Sequence, residues 1–428
     1  MAERKIQPAK KFTGHFRVPG DKSISHRSLI LAALAEGESQ VTDLLECEDI
    51  RSTRRVLEAL GVRILDSGYG VTIRGRGLAG FKAPVGDLDC GNSGTTLRLM
   101  MGVLAGSNLN VKLVGDASLN ARPMARVALP LNQMGATIDL TDQNTSPVVI
   151  RGAQLQGISY ELPVASAQVK SAILLAGLFA EGSLELTGKI SSRDHTERML
   201  QRTGVRLDSD EKRLSMKCGQ RSGAFSLSVP GDPSSAAFFL AAGAMILGSD
   251  VYLEDVCLNE TRLGFVRALK RMGADITFTL RSEDPEPRGD IRVRGEQLLS
   301  GIEIDEVEVA SLIDELPLLA VVAATARGVT SVKGASELRV KESDRIEMIA
   351  RNLRAMGAKI NTFSDGFVID GVDKLQGATL ESGGDHRIAM ACAVAALRAV
   401  GETTVKDSEC VSVSYPAFFG ELERGICG

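Results

Sequence analysis

Ten residues near the N-terminus, VPGDKSISHR (Val18–Arg27), hold an acid, a lysine, two serines, a histidine and an arginine, and run after Ser28 into the apolar stretch LILAALAEG. Similar polar leaders, DCGNSGTTLR, LPVASAQVK, VPGDPSSA, ASLIDELP and SGGDHR, stand before five more alanine-rich apolar segments. A Ser, Thr, Asp or Asn in each would cap a helix, which explains one polar residue per leader. It does not explain Lys22 with Arg27, Gln168 with Lys170, or His386 with Arg387. A helix N-terminus offers unpaired N–H groups and partial positive charge, and Lys or Arg added there makes an anion site. NARPMARV adds Arg122 and Arg126, and ELRVKESDR adds Arg339, Lys341, Glu342, Asp344 and Arg345. Such a run is ordinarily a solvated helix face, but at a helix start the dipole disfavours cations. The set suits ligands with phosphate and carboxylate groups, which Arg grips with two bonds and Lys as a point charge. Asp314, within the apolar LIDELP, is a candidate general base, with a helix cap as the competing reading. Glu342, beside Lys341, is a second candidate acid or base.

The elements behind these leaders repeat. Six apolar segments are followed by Gly37, Gly106, Gly182, Gly248, Gly328 and Gly401, roughly 65 to 80 residues apart, and each predicts a buried helix with glycine at its C-terminal cap. A second series, such as VLEALGVRI, LNQMGATI and NLRAMGAKI, predicts amphipathic helices stopped by Gly61, Gly135, Gly204, Gly273 and Gly357, each followed by a strand. One unit therefore reads strand, buried helix, strand, amphipathic helix, strands. Burying one helix wholly requires sheet on several sides of it, so the pattern predicts an α/β fold with sheets outside and helices inside, three units to a globule. A continuous solenoid is the alternative, although its repeats are usually shorter.

Composition bounds the function. The 428 residues carry a net charge of −4, no Trp and only 4% aromatics, which argues against general nucleic-acid binding and base stacking. Seven scattered cysteines form no CxxC pair, so buried reduced thiols are expected rather than disulfides or zinc. The start, MAERKIQPAKKF, has no apolar signal core, and no apolar run reaches membrane length, so a cytoplasmic protein without a membrane partner is expected. The four histidines are far apart, and the Walker, GxGxxG and GxSxG patterns are missing, so no metal or cofactor is implied.

VPGDKSISHR, GNSGTTLR, ARPM, ASAQVKSA, LIDELP, RVKESDR and DHRIAM, in that order from about residue 10 to SYPAFF, closely resemble the 5-enolpyruvylshikimate-3-phosphate synthase family. The resemblance implies two inside-out α/β globules, each of three βαβαββ repeats with helices buried and sheets outside. Residues 1–19 plus 232–428 would form one and 20–231 the other, with crossovers near Gly20 and Gly231 and the active site in the cleft between them. It implies transfer of the enolpyruvyl group of phosphoenolpyruvate to the 5-hydroxyl of shikimate 3-phosphate, by addition–elimination and without a metal, in the route to chorismate and the aromatic amino acids. By motif, Lys22, Ser23, Arg27, Ser166, Ala167, Gln168, Asp314 and Lys341 would bind shikimate 3-phosphate. Lys22, Gly94, Arg122, Gln168, Arg345 and Arg387 would bind phosphoenolpyruvate. Asp314 would take the 5-hydroxyl proton, and Glu342 and Lys22 would carry protons at the methylene carbon. A monomer is expected, since both globules come from one chain.

This chain departs from the family at three places. Ala167 stands where many members have a second serine, Val413 where many have lysine, and Leu99 where some have proline. The family is the target of glyphosate, which occupies the phosphoenolpyruvate site; Gly94 leaves room for it and Val413 weakens it, so measurable but imperfect inhibition is expected. Three rivals differ in chemistry. A UDP-N-acetylglucosamine enolpyruvyl transferase would have Lys-Asn at Lys22-Ser23 and a reactive cysteine near Arg122, but no cysteine lies between Cys90 and Cys218. A non-catalytic anion-binding repeat protein would have no need of Asp314 or Glu342. An RNA-end cyclase would want a nucleotide site and more basic charge.

Overall fold

The structure, a computed structural model, describes residues 2–68 and 70–427, without the side chain of Cys427. The chain forms two compact units, one from the residues up to Pro19 together with those from Pro230 on, the other from Gly20–Val229. The second crossing falls between Val229 and Pro230 rather than after Gly231, because the hydrogen bonding changes sides there. Val229 N–H donates to Thr42 O at 3.0 Å, whereas Gly231 and Asp232 donate to Asp255 O and Pro19 O, both at 2.8 Å.

Six helices carry the apolar segments: α1 (Lys22–Leu34), α2 (Gly94–Ala105), α3 (Ala167–Gly177), α4 (Pro233–Met245), α5 (Leu316–Ala323) and α6 (His386–Ala396). Every residue of α4 and α5 is buried. Sheets provide the covering. In Gly20–Val229, Leu88–Asp89 pairs in parallel with Asn110–Val114, which continues antiparallel through Val148–Arg151 to Thr137–Asp139. The same order recurs in Ser159–Leu162, Ser183–Gly188, Leu214–Lys217 and Asp208–Ser209. With α2 and α3 these are the βαβαββ repeats that the spacing predicts. In the first repeat the opening strand comes from the far end of the unit, where Ser226–Ser228 pairs with Glu36–Thr42. The other unit is built alike. Its sheets around Asp250–Cys257 and Thr403–Lys406 are completed by N-terminal strands, Thr13–Phe16 in parallel and Arg4–Ile6 antiparallel. The strands alternate as one-faced sheets do: Val71 and Ile73 are buried, Arg74 and Arg76 exposed.

The two glycine series have different jobs. The amphipathic helices end as the pattern predicts. After Leu60, for example, Gly61 takes φ 86°, its N–H bonds to Glu58 O and that of Val62 to Leu57 O, and the same pair of bonds recurs at Gly135, Gly204, Gly273 and Gly357. The first series does not cap its helices, Gly106 excepted. The helix cap is Ala35, Leu178, Ile246, Ala324 or Leu397, and the glycine follows where the chain turns into the next strand. Among the described residues no helix is long and apolar enough to cross a membrane.

Alanine and glycine let the buried helices touch by their backbones. A Cβ on Gly102 of α2 would lie 2.2 Å from the carbonyl oxygen of Ala172 in α3, closer than any real Cβ contact. Gly102→Val is expected to lower stability by about 2 kcal/mol or more, because neither helix can move without opening its sheet cover. Thermal unfolding of the variant checks this; a melting temperature equal to the parent's would show that the two helices can separate.

Candidate active site

In the unit Gly20–Val229 three helix N-termini carry the predicted residues. Asp21 caps α1, accepting from Ile24 N–H at 2.9 Å, and Lys22 opens the helix with its ammonium on Asp49. Ser93 caps α2 by accepting from Thr96 N–H at 3.1 Å, and Gly94 is the first helical residue. A Cβ at Gly94 would point at two guanidinium groups, 2.9 Å from Arg98 Nη1 and 3.5 Å from Arg122 Nη1. Arg122 donates to Asn92 Oδ1 at 2.8 Å, and Arg98 to Gln168 Oε1 at 2.8 Å; Gln168 in turn donates to Thr95 Oγ1 at 3.0 Å. Gly94, Arg122 and Gln168 therefore share one cluster, whose central member, Arg98, the motif reading overlooked. Its place one turn after Gly94 on the same helix was the available signal. Ser166 caps α3, accepting from Val169 N–H at 3.4 Å, and Ala167 follows it without a hydroxyl.

Two cations of this unit are buried. Arg27 is 4% exposed and donates to Thr196 Oγ1 at 2.6 Å, Ser171 Oγ at 2.7 Å and Ser23 O at 3.0 Å, so it ties α1 to α3 and to the helix His195–Arg202. Lys170 is not part of an anion site: its ammonium is buried 2.6 Å from Glu197 Oε1 and donates to Ile190 O and Ser192 O. It sits one turn inside α3, where only a buried carboxylate can offset its charge.

In the other unit, the predicted residues converge on one guanidinium. Arg345, 1% exposed at the start of the helix Arg345–Ala355, donates to Asp385 Oδ2 at 2.8 Å, Glu342 Oε2 at 2.6 Å and Asp314 Oδ1 at 3.3 Å. Burial opposes its charge, but Asp385, Glu342 and Asp314 outweigh burial and hold it protonated well above its ordinary range. Asp314 lies in the single turn Ile313–Glu315 leading into α5. Its Oδ1 is 3.6 Å from Lys341 Nζ. Arg387 donates to Asp314 O and Glu315 Oε1, both at 3.3 Å. Asp385, also overlooked, caps α6 through Arg387 N–H at 2.9 Å while holding Arg345. Burial pushes its carboxyl up, but Arg345 prevails and leaves it below the usual aspartate range.

The charged run ELRVKESDR divides by role. Arg339 pairs with Asp344 at 2.6 Å and binds the carbonyls of Phe363 and Ser364, and Asp344 caps Arg345–Ala355 through Glu347 N–H at 3.1 Å. Lys341 and Arg345 face Asp314 instead, and Glu342 accepts from Arg345. The leader VPGDPSSA carries no such group at its helix start: Asp232 caps α4 and receives the buried Arg262 at 2.9 Å.

Residues 6–422 match the family of EPSP synthase (3-phosphoshikimate 1-carboxyvinyltransferase). The chain belongs to the EPSP synthase family. The 3-phosphoshikimate 1-carboxyvinyltransferase of Roseiflexus sp. (strain RS-1) is 48% identical over 425 residues, 98% of either chain. Among solved structures, an EPSP synthase from Acinetobacter baumannii superposes with a TM-score of 0.88 at 44% identity, covering 99% of this chain and 98% of that one. The enolpyruvyl transferase NikO from Streptomyces tendae, at 16% identity and a TM-score of 0.77 over 98% of this chain and 96% of its own, shares the fold. As an EPSP synthase, the chain transfers the enolpyruvyl group from phosphoenolpyruvate to shikimate 3-phosphate in aromatic amino-acid biosynthesis. The thiols suit that assignment: Cys47, Cys90 and Cys392 are buried and their pKa values pushed up by burial, so none is a ready nucleophile.

Two buried groups with lowered pKa values, His26 and Asp385, predict part of how stability follows pH. Burial, with Lys22 and Arg27 nearby, holds His26 well below its ordinary value, so an unfolded chain takes up that proton first as the pH falls below about 6.5. Asp385 behaves likewise below about pH 4. Stability is therefore expected to decline in two steps on acidification, and Asp385→Asn to reduce the lower one, to which Asp66, Asp250 and Asp290 also contribute. Denaturant titrations at stepped pH would measure this; an unchanged lower step in Asp385→Asn would refute it.

Proposed function

We propose that the cationic groups of both units act on one pair of substrates, with Asp314 as the base. Lys22, Ser23, Arg27, Ser166, Gln168 and Lys341 bind shikimate 3-phosphate, with Ala167 beneath it. Lys22, Gly94, Arg122, Gln168, Arg345 and Arg387 bind phosphoenolpyruvate, with Arg98 holding Gln168 toward it. Asp314 takes the proton of the 5-hydroxyl as its oxygen bonds to C2 of phosphoenolpyruvate, and the methylene carbon gains a proton from Glu342 or Lys22. Elimination removes a proton from that carbon and breaks the bond to phosphate. What supports the reading above all is the setting of Asp314, a mostly buried carboxylate between Lys341 and the triply paired Arg345. Lys341 and Arg345 fix the position of this carboxylate by contacts to one of its oxygens. The guanidinium and ammonium groups also match the phosphate and carboxylate charges of the substrates.

We also read the protein as a cytoplasmic monomer. All six cysteines with described side chains are free, as a reducing compartment would keep them, and one chain carries both groups.

The test is phosphate release from phosphoenolpyruvate with shikimate 3-phosphate as acceptor. Asp314→Asn is expected to lower kcat by about 100-fold or more while shikimate 3-phosphate still binds within a few-fold of the parent. A near-parental rate would remove Asp314 as the base.

A further inference from the structure

The leader VPGDKSISHR also contains a histidine that this reading of the reaction leaves unused. His26 lies one turn beyond Lys22 on α1 and is fully buried, with Nδ1 2.7 Å from Thr53 Oγ1. Thr53 lies one turn beyond Asp49 on the helix Glu48–Ala59. The ion pair Lys22–Asp49 and the bond His26–Thr53 are thus successive rungs between the same two helices. The second rung continues. Thr53 Oγ1 is 2.7 Å from Thr96 Oγ1, which donates to Ser93 Oγ at 2.7 Å and lies 3.5 Å from Asp49 O. Thr53, Thr96 and Ser93 are as buried as His26.

The direction of this chain follows from counting protons. Thr96 gives its one hydroxyl proton to Ser93, so it accepts from Thr53, whose oxygen then accepts from His26 Nδ1–H. His26 Nε2 is left buried with no hydrogen-bond partner among the described residues. A leucine would fill the same space without burying an unpaired nitrogen. What the imidazole adds is its bond to Thr53.

We propose that His26 and Thr53 are positioning residues for phosphoenolpyruvate, locking the first turn of α1, which carries Lys22, in register with the Gly94 turn of α2. This rests on the assignment of Lys22 and Gly94 to that ligand. Thr53 is the only side chain that touches both His26 and Thr96 in this chain of bonds. Without its hydroxyl, Lys22 retains its carboxylate partner, but nothing in the chain fixes α1 against the start of α2.

The decisive variant is Thr53→Val, nearly the same shape without the hydroxyl, with Thr53→Ser as the conservative rescue. Thr53→Val is expected to lose about tenfold in kcat/KM for phosphoenolpyruvate, mainly through KM, since small misplacements of binding groups are costly in rate. Thr53→Ser and His26→Asn, which retain a donor or hydroxyl near the same place, should recover most of that, and His26→Leu should not. A purely structural chain predicts otherwise: Thr53→Val would melt earlier yet keep kcat/KM within twofold, which would overturn the proposal. Lys22→Met and Gly94→Ala serve as references. If they weaken phosphoenolpyruvate and Thr53→Val does not, the positioning role alone falls; if none of the three does, the ligand assignment falls and takes the positioning role with it.

Discussion

A helix enclosed on every side can meet polar chemistry only at its ends, and this constraint organises the protein. Six enclosed helices would bury six sets of unpaired N–H groups, and an unpaired buried donor is expensive. Asp21, Ser93, Ser166, Asp232 and Asp385 each accept from a first-turn N–H and so settle that cost. Lys22, Ser23, Gly94, Gln168 and Arg387 lie within two residues of four of these caps because the helix ends are where the chain leaves its apolar interior. Catalytic polarity and structural necessity thus share the same short leaders.

The two units solve the charge problem differently. In Gly20–Val229 the cations at the helix starts rest on mixed partners: Asp49 under Lys22, Asn92 under Arg122, Gln168 under Arg98. In the other unit a single buried guanidinium gathers three carboxylates. Removing the guanidinium would leave three carboxylates without the cation they share in a dry setting, so Arg345 is a keystone of its unit. The same bonds fix Asp314 and Glu342 relative to each other, which no sequence spacing could arrange.

Much of this is legible in the sequence. The repeat period, the buried and amphipathic helix series and the anionic character of the ligands follow from apolar patterning and from cations placed where the helix dipole disfavours them. What the sequence could not reveal was which polar side chains of a leader enter buried pairs. Lys170 and Gln168 stand two residues apart in one leader, yet one enters a buried ion pair and the other joins the Gly94 cluster. Nothing in composition distinguishes them; the difference is the side of α3 each occupies, set by packing against the helix His195–Arg202. Arg98 and Asp385 escaped notice for the same reason, since their importance lies in partners 70 and 40 residues away.

The strands Arg4–Ile6 and Thr13–Phe16 bear on how the protein is made. They leave the ribosome before the strands they pair with, and the strand that receives Arg4–Ile6, Thr403–Lys406, emerges long after it. Gly20–Val229 comes out whole in between and has all its own sheet partners, so it can fold during synthesis. The leading segment must meanwhile wait, unpaired and with β-strand edges exposed, for most of the translation time. Such a segment invites pairing with other chains. The charged residues spaced along Glu3–Lys11 are well placed to keep it in solution until its partners arrive.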